Sequence, residues 1–242
     1  MNEKFLYTED NIKIAINHYE CNCDSVVIVC PGWFMTKDSK AFKNLSEDFN
    51  KNYDVITMDF RGHGKSGGFF TFTAKELLDL NAVVNYAKNE CGYKNIYLLG
   101  FSLGGALVLL CGAECSLVDK IIAVSAPTNF MKIENLMFMP QAWIPTLFQK
   151  FEPKRWLTIR AGFPFFKKIK PIDIVSKLTV PTLFIAGEKD PTVFPWHTEA
   201  LYNKTVCKKQ YKLFKNGNHA EDLYHDFPEE FLNLCFEWLE NS

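Results

Sequence analysis

Long apolar runs, a surplus of one charge, internal repeats and low-complexity tracts are all missing from this 242-residue chain, and each absence narrows what it can be. The longest mostly apolar stretch, Phe101 to Ala113, is broken by Ser102, Gly104, Gly105 and Gly112. It falls well short of the roughly 20 residues that cross a bilayer, so no membrane span is expected. The opening MNEKFLYT lacks the apolar segment of a secretory leader, which predicts a cytoplasmic location. Lys and Arg number 27 against 28 Asp and Glu. Nonspecific nucleic-acid binding needs many phosphate-neutralising cations, so no nucleic-acid partner is expected. With 48% of residues apolar, disorder is excluded as well.

Cysteine is not scarce, at eight, but zinc-type spacing is. Cys21-Asn22-Cys23 and the pair Cys111/Cys115 have no histidine or second cysteine pair at finger-like spacing, so no metal is expected. Without an export signal the cysteines read as free thiols rather than disulfides. Gly64-Lys65-Ser66 has the ending of a phosphate loop, but Asp59 stands where its first glycine belongs and Gly67-Gly68-Phe69-Phe70 cannot open the required helix. The glycines of Gly100-Phe101-Ser102-Leu103-Gly104-Gly105 are not spaced as in a dinucleotide-binding turn. No cofactor is expected.

What is present is alternation. Apolar, β-branched runs recur between stretches of helical periodicity, the pattern of a mostly parallel sheet with helices on both faces. Phe5–Tyr7 and Ile12–Tyr19 predict an opening hairpin. Ser25–Cys30, Asp54–Asp59, Asn95–Gly100, Lys120–Ser125, Thr182–Gly187 and Gln210–Phe214 predict buried strands. Helices are expected at Ala41–Asn50, Ala74–Asn89, Leu103–Glu114, Trp196–Asn203 and Glu229–Leu239. The rhythm stops at Thr128–Pro171, 44 residues with nine aromatics, five prolines, no strand signal, and eight basic residues against Glu134 and Glu152. A structureless loop of that length is out of keeping with a compact domain. A small helical cap over the sheet's carboxyl edge is therefore expected at 128–171, with 1–127 and 172–242 forming an α/β core.

The strongest local signal is Gly100-Phe101-Ser102-Leu103-Gly104, a G-x-S-x-G sequence after a predicted strand and before a predicted helix. That setting exposes a serine on a sharp, strained turn, and the glycines let neighbouring backbone approach. A serine hydroxyl becomes a useful nucleophile only when a base takes its proton and a third group orients the base. Asp190 and His219 each follow a predicted strand, at the sheet edge where ligand chemistry gathers on such folds. The order Ser102, Asp190, His219 fits nucleophile, orienting acid and base. The amide of Leu103, next after the serine, is a candidate oxyanion donor. His63 sits in a glycine-rich loop and reads as structural, while His18, His197 and His225 lack the strand-end setting. Glu188, Glu221 and Asp222 read as solvated charge.

On these motifs the chain resembles the α/β-hydrolase fold superfamily over roughly Asp24 to Leu239. Asp59-Phe60-Arg61-Gly62-His63-Gly64-Lys65-Ser66 is similar to that superfamily's loop after its fourth strand, and Gly187-x-x-Asp190-x-x-Val193 to its acid-bearing segment. The branch looks like the cinnamoyl/feruloyl esterases and monoglyceride lipases. The resemblance implies an α/β-hydrolase fold with a helical cap insertion, cleavage of a small-molecule carboxylic ester through an acyl-enzyme, and no cofactor. It also places the second oxyanion donor after Val26–Cys30, where the family has His-Gly-x and this chain has Cys30-Pro31-Gly32-Trp33. Proline has no N–H, so Trp33 is the expected donor.

Phe130, Phe138, Trp143, Phe148, Trp156, Phe165 and Phe166 are candidates for an acyl or aryl pocket, with plain packing of cap on sheet as the alternative. The cap's basic residues are candidates for contact with an anionic substrate or lipid surface. A monoglyceride or lysophospholipid lipase, an acyltransferase or peptidase with the same triad, and a noncatalytic binding module stay open. Nothing in the sequence specifies an oligomeric state.

Overall fold

The computed structural model describes residues 1–133 and 157–241. Eight strands form one sheet: β1 (Asn2–Tyr7), β2 (Lys13–Tyr19), β3 (Ser25–Cys30), β4 (Asp54–Met58), β5 (Asn95–Phe101), β6 (Lys120–Val124), β7 (Thr182–Gly187) and β8 (Lys209–Phe214). Their order is β1-β2-β4-β3-β5-β6-β7-β8. The β1–β2 hairpin and the β2–β4 pair are antiparallel, and the remaining pairs are parallel.

Side chains alternate across the sheet with period two. On β3, Val26, Ile28 and Cys30 face one core while Val27 and Val29 face the other. The first core is covered by α2 (Glu76–Asn85), α3 (Leu103–Glu114) and α5 (Pro195–Lys204), through Leu80, Val83, Leu107 and Leu201 among others. The second is covered by α1 (Lys40–Phe49) and α7 (Pro228–Glu240). Phe42, Leu45 and Phe49 on α1, and Phe231, Cys235, Trp238 and Leu239 on α7, recur at helical spacing and are buried together. α4 (Pro171–Ile174) and α6 (Asp222–Asp226) are short connectors whose length carries no readable periodicity.

The helices after β3 and β5 leave the sheet toward opposite faces, so the carboxyl ends of these adjacent strands open a crevice at the point where the strand order reverses. The single helix expected over Ala74–Asn89 is divided. α2 stops at Asn85, and a wider turn follows at Tyr86–Glu90, with Cys91 N–H donating to Tyr86 O at 3.1 Å. The widening falls at Tyr86, whose hydroxyl is held by Lys4 and His18.

Of the stretch 128–171, its two ends are described, and they meet: Ile172 N–H donates to Thr128 O at 3.2 Å. The sequence predicts no strand there, yet Ala161 pairs with Phe70 in one isolated parallel bridge, too short to show alternation. Arg160 N–H donates to Gly62 O, and Phe70 N–H to Arg160 O, each at 2.8 Å. The Arg160 guanidinium also donates to the carbonyls of Gly68 and Ser66. Phe138, Trp143, Phe148 and Trp156 lie outside the described residues. All eight cysteines are free, and no helix of the described residues is long and apolar enough to cross a membrane.

Candidate active site

Ser102 ends β5 and begins α3 with φ +52° and ψ −110°, in a region that L-residues avoid. Strain of this kind, of order 1–3 kcal/mol, persists only where packing enforces it. Here the packing is the approach of α3 to the sheet. A Cβ added at Gly104 would lie 2.1 Å from Cys30 O, so no other residue fits without moving helix or strand. Ser102 N–H donates to Val124 O at 2.8 Å, tying the turn to β6, and the side chain retains slight exposure.

The loop after β3 lies against the serine, since a Cβ at Gly32 would stand 3.4 Å from Ser102 Cβ. Trp33 and Leu103 thus flank the residue they were expected to serve. Leu103 is the first residue of α3, whose amide has no acceptor within its own helix. Phe34 follows Trp33 with φ +63°, a second strained residue beside the site, in the loop after β3. The family's histidine is absent, and other groups brace the loop. Thr36 N–H donates to Ser39 Oγ at 3.0 Å and Lys37 N–H to Asp59 Oδ1 at 2.7 Å. Asp59 Oδ2 accepts from Lys65 N–H at 3.0 Å, so one carboxylate joins the loops after β3 and β4. Burial pushes its pKa up to about 6. The indole of Trp33 stacks on Phe70, with ring centroids 5.3 Å apart, and meets Phe130 edge-on. Its Nε1–H has no hydrogen-bond partner among the described residues.

Beyond β7 and β8 the other two expected groups come together: His219 Nδ1 is 2.7 Å from Asp190 Oδ2. Asp190 Oδ1 accepts the amides of Thr192 and Val193 at 2.9 and 2.8 Å, so every oxygen of the buried carboxylate is used. Charge-assisted bonds of this kind fix both the acid and the ring it holds. Ser125, at the end of β6, connects the two halves of the site. Its hydroxyl accepts Ala220 N–H at 3.1 Å, beside His219, while its neighbour Val124 accepts from Ser102. Ser125 and Ala220 both have positive φ, at +49° and +53°. Neither residue lies in a recognisable motif, and sequence reasoning missed both.

The rival groups are occupied elsewhere. His63 is 1% exposed and its pKa is lowered to about 4 by burial. Its Nδ1 lies 3.2 Å from Arg61 O. His18 sits between Tyr86 and Tyr93, His197 Nδ1 accepts from Thr128, and His225 pairs with Asp226. Glu188 accepts Asn216 N–H at 2.9 Å. Of the expected pocket aromatics, Phe130 is buried against Trp33, whereas Phe165 is 82% exposed, edge-on to Phe163, and turns its ring to solvent. Among the described residues one cluster of metal-ligating side chains occurs, Cys21, Cys23 and Asp54, at the amino end of the strands and away from this site.

A model of the alpha/beta hydrolase fold matches residues 25–155. The solved structure of the Pyrococcus furiosus esterase Pf2001 superposes with a TM-score of 0.80 at 26% identity, covering 99% of this chain and 91% of that one. Est1E from Butyrivibrio proteoclasticus, solved with ferulic acid bound, superposes with a TM-score of 0.70 at 22% identity, over 98% of this chain and 100% of that one. In sequence the chain is 24% identical to the human serine hydrolase BPHL, covering 94% of this chain and 86% of that protein.

Proposed function

Because the chain belongs to the α/β-hydrolase fold family, we propose that it is a serine hydrolase that cleaves carboxylic esters of small acyl or aryl groups, with Ser102, His219 and Asp190 as its triad. The observation that carries this reading is the 2.7 Å bond between His219 and Asp190 on the same sheet edge as the strained Ser102 turn. The likeness to an esterase at 26% identity supports the choice of ester over other acyl compounds.

With Nδ1 committed to the carboxylate, proton exchange falls to His219 Nε2. Ser102 Oγ attacks the ester carbonyl as its proton passes to Nε2, and Asp190 stabilises the imidazolium. The oxyanion of the tetrahedral intermediate takes the amides of Trp33 and Leu103, each such donor contributing on the order of 3 kcal/mol. The carbon–oxygen bond to the alcohol then breaks, and the alcohol leaves with the proton from Nε2. Water attacks the acyl-enzyme, gives its proton to the same nitrogen, and the acid departs as Oγ regains it. Protonated imidazole cannot accept, so kcat/KM falls as the medium is acidified.

The stretch 128–171 is the part we assign to substrate selection, with Phe130 and Trp33 forming one wall. A lipid-facing variant of this reading rests on Phe163, Phe165, Phe166 and Ile169, which are exposed beside Lys167, Lys168 and Lys170. The test of the central reading is labelling by a fluorophosphonate and turnover of a panel of acyl-chain and aryl esters. A folded protein that neither labels nor turns over any ester sinks it. Added alcohol and amine acceptors report any acyl transfer in the products.

A further inference from the structure

At the amino ends of the parallel strands, one strand length from Ser102, the turn from β2 to β3 carries Cys21 and Cys23 on either side of Asn22. The φ of Asn22 is +64°, and the tight turn leaves the two sulfurs 2.9 Å apart. Asp54, the first residue of β4, is brought up to them by the sheet. Its Oδ1 accepts the amides of Cys21 and Cys23 at 2.7 and 3.1 Å. The two sulfurs and a carboxylate oxygen lie within 4.8 Å of one another, and Asn52 O is 3.4 Å from Cys23 Sγ. Neither cysteine is fully buried, so solvent reaches the pair.

Behind the carboxylate stands a chain of ordered donors. Tyr93 O–H donates to Asp54 Oδ2 at 2.5 Å, and His18 Nε2 is 2.7 Å from that phenol oxygen. His18 Nδ1 is 3.2 Å from Tyr86 Oη, which accepts from Lys4 Nζ at 2.6 Å. Each hydroxyl can donate once and accept once when His18 is neutral with its proton on Nε2. The direction then runs from Lys4 to Tyr86, His18, Tyr93 and Asp54. Such a chain orients a carboxylate as the outer partners of a metal ligand do.

We propose that Cys21, Cys23 and Asp54 form a binding site for a thiophilic divalent cation of the Zn2+ type, with two thiolates and one carboxylate oxygen as ligands. Solvent or Asn52 O takes the fourth position. Tetrahedral ligation at about 2.3 Å per sulfur sets the sulfurs about 3.8 Å apart, which asks the pair to open by about 0.9 Å. Binding releases one proton from each thiol to solvent, and the bound cation joins the β2–β3 turn to β4.

The test uses the full-length, reduced protein. Co2+ is added as a spectroscopic probe, and Zn2+ affinity is read by competition with a chromophoric chelator. One ion per chain is expected, with a thiolate-to-cobalt charge-transfer band, and Zn2+ should raise the thermal midpoint. Cys21→Ser and Cys23→Ser should each weaken binding at least tenfold, whereas Cys115→Ser, just beyond the end of α3, and Ser102→Ala should leave it unchanged. Asp54→Asn should weaken it too, but Asp54 also holds the turn, so the serine variants decide. No saturable binding to folded reduced protein overturns the site, as does a cobalt spectrum without the thiolate band. Affinity that survives both serine changes, or that is lost with Cys115→Ser, also overturns it.

Discussion

In the proposed triad, Ser102 and Asp190 are the residues whose replacement separates chemistry from folding. Ser102→Ala removes the attacking oxygen while leaving the backbone turn, and should lower ester kcat by at least about a thousandfold with an unchanged circular dichroism spectrum. Asp190→Asn keeps the shape but offers His219 the wrong hydrogen-bonding partner, and a loss of about a thousandfold or more in kcat/KM is expected. His63 makes a different prediction. Held near 4 in the folded protein and free to rise to about 6.5 when unfolded, it takes up its proton in the unfolded chain first. Its contribution to stability is therefore present above pH 6.5 and lost as pH falls toward 4, by about 3 kcal/mol. Asp59, raised to about 6, works the opposite way over nearly the same range, since the folded state binds its proton first. The two offset each other in the native loop. Denaturant unfolding of His63→Gln between pH 4 and 7 should expose the Asp59 slope, and a stability difference from wild type that does not change with pH would contradict this account.

At the scale of elements, the approach of α3 to β3 is the feature on which the site geometry depends. Gly104→Ala places a methyl group 2.1 Å from Cys30 O, so helix and strand must part. A loss of about 2 kcal/mol or more in the unfolding free energy from denaturant titration is expected, together with a fall in kcat larger than that of a surface Gly→Ala change. Strands β3 to β7 and helix α3 were legible in the sequence because each is a buried apolar run bounded by turn residues. The proposed triad residues stood out for a related reason: the elbow pattern and two strand ends mark them locally, and the His219–Asp190 bond joins two of them. Ser125, Lys37 and Asp59 were not legible as supports, because their partners lie on loops distant in sequence. Cys21 and Cys23 gave no metal signal for the same reason. The third ligand of the proposed site, Asp54, stands on β4, and only strand pairing brings it near.

For the whole molecule, the basic aromatic stretch Phe163–Lys170 of the proposed insertion separates two ways of meeting substrate. If Phe163, Phe165 and Phe166 rest on a lipid surface, replacing all three with serine should abolish cosedimentation with anionic vesicles at low salt and leave hydrolysis of a dissolved aryl ester intact. Binding that survives the triple change would assign those rings to packing within the insertion. The hydrogen bond between Ile172 and Thr128 has an evolutionary reading as well. Because the proposed insertion leaves and rejoins the scaffold at one spot, exchanging the whole segment would change what meets the proposed site without renegotiating the sheet beneath it.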